Sequence, residues 1–216
     1  MILLINNKRS LKEYAPSVNT KLTSVPKLKR ALNHLRLKFH EVKGVDEHLL
    51  DPSSQLHRQI TGVIISGSSM KLSRDLDISQ YVHILRYLQA FSHLPVLGIC
   101  FGAQLLVCLY GGSVIDQGKY ICEKLPVRIL PRNTLFVNGA TSASIINPMF
   151  CFSDLPVIHG RKRITPIAWM KYKNNDTETE TPVAFEFEKG QVYGCLFHPE
   201  WCEDTFFILS NLFHIS

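Results

Sequence analysis

An apolar run, Pro95-Val96-Leu97, leads directly into Gly98-Ile99-Cys100-Phe101-Gly102-Ala103-Gln104, and this spacing leaves few options for the fold around it. Val96, Leu97 and Ile99 read as the end of a buried strand, and Phe101 to Tyr110 as the start of an apolar helix. Gly98 and Gly102 then bracket Cys100 at a tight strand-to-helix turn. The backbone doubles back there, so a side chain at either glycine would collide with the neighbouring strand or helix. A cysteine in that turn sits at the first turn of a helix. Unpaired N–H groups and the positive end of the helix dipole favour its thiolate, and the N–H of Phe101 points at a developing oxyanion.

A thiol of ordinary pKa is only a few per cent ionised at neutral pH, so an imidazole is the usual further activator. The stretch Gln191 to Phe197 reads as a strand that delivers His198 at its end, with Pro199 stiffening the chain behind it. Glu200, two residues on, is placed to accept a hydrogen bond from the far ring nitrogen and fix the tautomer.

With these residues in hand, the chain resembles the class I glutamine amidotransferases, whose signature is a G-x-C-x-G-x-Q elbow and a downstream H-P-E. The segments PVLGICFGAQLLVCLYGGSV, VYGCLFHPEW and TGVIISGS are similar to that family's typical blocks, from about residue 60 to the C-terminus. The resemblance implies that Cys100 is the nucleophile, His198 the general base and acid, and Glu200 its orienter. It further implies that Gln104 and Gly67 belong to the glutamine pocket, and that Phe101 and Ser68 supply the oxyanion hole. The implied reaction releases ammonia from glutamine and leaves a glutamyl thioester that water hydrolyses. One departure stands out: the family's oxyanion loop usually reads Gly-Gly-Pro, whereas this chain has Ser66-Gly67-Ser68-Ser69. Ser68 keeps an N–H but prefers other backbone angles than glycine.

Strand-like and helical segments alternate over residues 1 to 111. Met1 to Ile5, Phe39 to Val42, Gly62 to Ile65 and Pro95 to Ile99 read as strands. Val25 to His40 and Asp77 to about His93 read as helices, the second capped by Asp77. That alternation implies crossovers and a parallel sheet covered on both faces. From Gly112 onward the pattern changes to short strand-like runs: Val127 to Leu130, Thr134 to Val137, Ile167 to Tyr172, Val183 to Glu188 and Gln191 to Phe197. A turn is expected at Glu188 to Gln191, a mobile polar loop at Lys173 to Thr181, and a closing helix at Asp204 to Phe213. The expectation is an α/β fold: a three-layer sandwich, flavodoxin-like, with a mostly parallel central sheet and a short-stranded C-terminal β region. Residues 1 to 216 are read as one amidotransferase-like domain.

The net charge of +6 sits entirely in residues 1 to 60, which hold eleven Lys/Arg against five Asp/Glu; the remainder holds thirteen of each. Leu28, Leu32, Leu35 and Phe39 recur at helical spacing among these basic residues, so the stretch reads as the solvated face of an amphipathic helix. Arg161-Lys162-Arg163 is too brief for a nucleic-acid groove, and no basic stretch carries the interleaved aromatics of a single-strand binder. No apolar run approaches membrane-spanning length. The six cysteines match neither a secreted disulfide framework nor a zinc motif, so a reducing, cytoplasmic setting without metal or cofactor is expected.

Three functions fit these residues. The first is a glutaminase that supplies ammonia to a separate synthase. The second is a γ-glutamyl hydrolase or peptidase acting on other γ-glutamyl amides, toward which Trp201 and the altered oxyanion loop lean. The third is a catalytically weak binding or regulatory module.

Overall fold

A computed structural model describes residues 1–7, 24–43, 54–68, 72, 81–115, 121–125, 127–130, 135, 145–146, 149–152, 157–159, 164–174, 177–187 and 191–213. In chain order the first half runs β1 (Ile2–Asn6), α1 (Ser24–His34), β2 (Phe39–Lys43), α2 (Gln55–Arg58), β3 (Gly62–Ile65), α3 (Val82–Ala90), β4 (Val96–Ile99) and α4 (Phe101–Leu109). The second half adds β5 (Ser113–Ile115), β6 (Ile121–Lys124), β7 (Val127–Ile129), β8 (Ile145–Ile146), β9 (Met149–Phe152), β10 (Val157–His159), β11 (Ile164–Asn174), β12 (Thr177–Phe187) and β13 (Val192–Cys195). Two 3-10 turns, Pro199–Trp201 and Glu203–Thr205, lead into α5 (Phe207–Leu212).

Nine of these strands form one sheet in the order β2-β1-β3-β4-β13-β12-β11-β7-β8. The first five are parallel. Their order matches the 2-1-3-4-5 arrangement of flavodoxin-like folds, in which ligands collect at the carboxyl ends of the strands. The other four join through antiparallel pairings.

Both faces of the parallel half are covered, and the period-2 alternation of β3 shows how. A Cβ on Gly62 would overlap the Phe213 ring, just beyond α5, whereas Ile65, which faces the other way, lies against Gly102 of α4. All four β3 residues are buried, as are all four of β4. Such uninterrupted apolar strands are what a two-faced parallel sheet requires.

Helix α1 buries Val25, Leu28, Ala31 and Leu32, and on its outer side Lys29 pairs with Glu41. The basic residues therefore form a solvated face, as the pattern implied. The helix ends at His34, six residues before the expected His40. Arg36 adopts φ 56°, with Arg36 N–H bonded to Asn33 O at 3.0 Å and Leu37 N–H to Leu32 O at 2.9 Å. This pair of bonds is a Schellman stop, built without the glycine that usually announces one.

Of Lys173 to Thr181, expected as a mobile loop, Lys173, Asn174 and Thr177 to Thr181 belong instead to two paired 11-residue strands, β11 and β12, and residues 175 and 176 lie outside the described residues. Opposite charges meet across this register: Lys171 lies opposite Glu180, and its Nζ is 3.3 Å from Glu178 Oε1. Cross-strand pairing of this kind stabilises a polar strand that its composition alone would not suggest. The strands of this region are thus longer than the runs foreseen. Helix α3 spans Val82–Ala90 and buries Ile84, Tyr87 and Leu88. Its expected start at Asp77, the turn residues Glu188 to Gly190, Arg161 to Arg163, Ser69, and all of Thr134 to Val137 except Leu135 lie outside the described residues. At the C-terminus a 3-10 turn precedes α5, and Phe206 and Leu209 are buried as expected of the closing helix.

Candidate active site

Cys100 occupies the turn between β4 and α4 with φ 51° and ψ −108°. A positive φ is costly for a residue with a Cβ and persists only where the surroundings enforce it. Here they do. Cys100 N–H donates to Cys195 O at 2.7 Å, and Cys100 O accepts from Gln104 N–H at 3.1 Å. The two glycines are required on steric grounds. A Cβ on Gly98 would lie 2.6 Å from Leu106 Cδ1 and 2.7 Å from the Gly102 carbonyl, and one on Gly102 would overlap the backbone carbonyl of Ile65. The elbow expected from the sequence is present, and its neighbours are the helix below and the strand alongside.

His198 follows β13, which runs parallel to β4 with Cys195 beside Ile99. Two adjacent parallel strands therefore end together and carry Cys100 and His198 to the same edge. Glu200 Oε1 lies 2.7 Å from His198 Nδ1, with the Glu200 side chain wholly buried. Cys100 lies close enough to the same ring to act on its charge. Burial disfavours a charged imidazole, but the Glu200 carboxylate and the Cys100 sulfur more than offset this and push the His198 pKa up to about 10. The ring is therefore an imidazolium at neutral pH, the state in which it stabilises a thiolate and can give up a proton.

Three further groups hold this arrangement. Thr205 Oγ1 donates to Pro199 O at 2.6 Å and Cys202 O at 2.7 Å, tying down the His-Pro-Glu turn. The Trp201 ring lies 5.4 Å from His198, and Lys27 Nζ sits 3.4 Å from the Trp201 ring centroid, docking α1 onto the turn. Asn7 anchors the loop after β3. Its N–H donates to Ser66 Oγ at 2.9 Å and its side-chain amide to Ser66 O at 2.8 Å, while Ser66 Oγ donates to Gly67 O at 3.1 Å. None of Asn7, Lys27 and Thr205 stood out in the sequence, because each acts through a partner distant along the chain or through main-chain geometry.

Gly67 lies directly against the pair. A Cβ there would stand 3.1 Å from His198 Cε1 and 3.4 Å from Cys100 Cβ. Ser68 follows it, half-buried. Phe101 opens α4 with its ring buried edge-on to Tyr81, ring centroids 5.6 Å apart. Gln104 is buried one helical turn from Cys100, on the same face of α4. All seven candidate residues thus lie on the loops and helix starts at one edge of the parallel half. A second thiol is also close: Cys195 is completely buried, and that burial, with the nearby Glu200 and Cys100, raises its pKa well above the ordinary range. It stays protonated, donating to Phe197 O at 3.5 Å. Among the described residues no group of three His, Cys, Asp or Glu side chains is arranged to hold a metal, and no helix is long and apolar enough to cross a membrane.

The arrangement can perform nucleophilic amide chemistry through a strained thiol paired with an oriented imidazolium. The family model for glutamine amidotransferase class-I matches residues 22–213. This chain belongs to the class-I glutamine amidotransferase family, a family of cysteine-dependent amide hydrolases.

Among its relatives, the glutamine-hydrolyzing GMP synthase of Cytophaga hutchinsonii is 29% identical over 157 residues, which is 71% of this chain and 27% of that protein. One subunit of the glutamine-hydrolyzing GMP synthase of Methanococcus maripaludis is 30% identical over 149 residues, 66% of this chain and 65% of its relative. The chain thus spans less than a third of the length of the bacterial GMP synthases it matches first. In fold it is similar to a chain of PurLQS from Thermotoga maritima, with a TM-score of 0.63 at 17% identity, covering 99% of this chain and 96% of that one. It also matches a glutamine amidotransferase from the same organism, with a TM-score of 0.56 at 16% identity, covering 99% and 81%.

Proposed function

We propose that this chain hydrolyses the side-chain amide of glutamine through a thioester on Cys100 and supplies the ammonia to a separate synthase. The observation that carries the reading is the imidazole of His198, held at 2.7 Å by Glu200 and grouped with Cys100 around Gly67. The Cys100 thiolate attacks the amide carbon, and the resulting oxyanion is met by the N–H groups of Phe101 and Ser68. The His198 imidazolium gives its proton to the amide nitrogen, which leaves as ammonia. Water then attacks the thioester, His198 takes its proton, and the thiolate departs from the γ-carboxyl group of glutamate. Gln104 and Gly67 line the pocket for the substrate.

The relatives are GMP synthases by name, which makes an enzyme that aminates a purine nucleotide the acceptor we favour. Cys100, Cys108, Cys195 and Cys202 are free thiols, which suits a reducing compartment such as the cytoplasm. The Trp201 ring beside His198 and the serine at position 68 favour a second reading, hydrolysis of other γ-glutamyl amides. Incubating the purified chain with glutamine and with a series of γ-glutamyl amides decides between the two. Ammonia release that prefers glutamine and vanishes in Cys100→Ser supports the first. Preference for a bulkier amide selects the second, and an unimpaired Cys100→Ser protein refutes both.

A further inference from the structure

Ser24 is the first residue of α1. A serine hydroxyl at a helix start commonly bonds a main-chain group of the first turn, yet the oxygen of Ser24 has no hydrogen-bond partner although the residue is only 8% exposed. A buried, unpartnered hydroxyl is unfavourable for the fold, and such groups gather where a ligand supplies the missing bond. The surroundings indicate which ligand. Where a Cβ would stand on Gly67, Ser24 Oγ lies 3.1 Å away, His198 Cε1 3.1 Å and Cys100 Cβ 3.4 Å. The hydroxyl, the imidazole and the cysteine therefore gather around one point beside a glycine that adds no side chain of its own. Neither the attack by Cys100 nor the orientation of His198 by Glu200 uses it.

The second half of the reaction needs such a group. Glutamine carries α-amino and carboxylate groups by which it can be held, but the water that follows it has nothing except two O–H bonds. His198 takes the proton of one. The other requires an acceptor if the water is to be aimed at the thioester carbon.

We propose that Ser24 is a further catalytic residue whose hydroxyl oxygen accepts a hydrogen bond from the water that hydrolyses the Cys100 thioester. The proposal rests on the glutaminase reading above. As the water oxygen bonds to the thioester carbon, one of its protons passes to His198 Nε2. The tetrahedral adduct then collapses with cleavage of the C–S bond. Cys100 leaves as a thiolate facing the imidazolium, and the new γ-carboxyl group releases its remaining proton to solvent.

The test is steady-state kinetics of the purified chain with glutamine, with and without hydroxylamine. Hydroxylamine is a stronger nucleophile than water and depends less on being held. In Ser24→Ala, kcat should fall about tenfold and KM with it, because the thioester now accumulates. Intact-mass measurement after rapid quenching should show the acylated protein. The ratio of γ-glutamyl hydroxamate to glutamate should rise above that of the parent, and Ser24→Thr, which keeps the hydroxyl, should recover most of the rate. Parental kcat and product ratio in Ser24→Ala overturn the proposal. So does a slower Ser24→Ala whose product ratio is unchanged and which threonine does not rescue, since the serine then serves only packing. A parent chain that forms no glutamate from glutamine overturns the glutaminase reading itself, an outcome distinct from either.

Discussion

The sheet has two halves that differ in what they can carry. In the parallel half, β1, β3, β4 and β13 all point the same way, so the segments after them emerge at one edge. Asn7 follows β1, Ser66 to Ser68 follow β3, Cys100 follows β4 and His198 follows β13. In the antiparallel half successive strands reverse, so their ends alternate between opposite edges and no such convergence arises. Its polar contacts are of the surface kind, among them Arg128 with Glu180 at 2.9 Å and Arg128 against the Trp169 ring at 4.9 Å. A parallel sheet concentrates chemistry, whereas its antiparallel continuation supplies area and closes the fold.

Substitutions in the two halves should therefore differ sharply. Cys100→Ser should lower ammonia release from glutamine by about 10⁴-fold or more while leaving the melting temperature near that of the parent, because an alcohol replaces the thiol proposed to form the thioester. Gly102→Val should cost about 3 kcal/mol or more in denaturant unfolding, since the valine meets the backbone of Ile65 rather than a side chain that can move. A soluble, fully active Gly102→Val protein would show that the elbow is not needed.

The effect of Glu200→Gln should be smaller, about 10²-fold in kcat, and should depend on pH. In the folded chain His198 holds its proton up to about pH 10, against 6.5 for an ordinary histidine. The stability this contributes is fully present below about pH 6.5 and is lost as pH rises through about 10. Loss of the Glu200 charge should lower the His198 pKa, weakening this dependence and moving the alkaline limb of the rate profile to lower pH. Identical pH–stability curves for parent and variant would contradict the ion pair. The smallest effect belongs to Arg128→Ala in the antiparallel half. Its exposed ion pair should contribute almost nothing, so activity should be unchanged and the melting temperature barely moved. An inactive Arg128→Ala would break the division between the halves.

Much of the site was legible in the sequence because its most demanding part is local. Only glycine fits at positions 98 and 102 once a strand must turn into a helix around Cys100, so the elbow is written in seven consecutive residues. His198 and Glu200 are likewise close neighbours joined by a proline. Other features follow local rules less openly. The end of α1 uses Arg36 in a left-handed conformation where a glycine would have marked the stop. The pairing of β11 with β12 hides in a polar stretch because Lys171 on one strand is balanced by Glu178 and Glu180 on the other rather than by neighbours along its own.

The amino-acid order thus specified the turn chemistry, the alternation that yields a parallel sheet, and the identity of the thiol and imidazole, since these depend on neighbours within a few residues. Tertiary structure alone decided that Cys195 lies beside Ile99, so that residues almost a hundred positions apart meet. It also decided that Asn7 holds the Ser66 loop, that Ser24 gathers with the pair around Gly67, and that His198 is charged at neutral pH. Those outcomes depend on strand register, burial and the field of distant groups, quantities that exist only once the chain has folded.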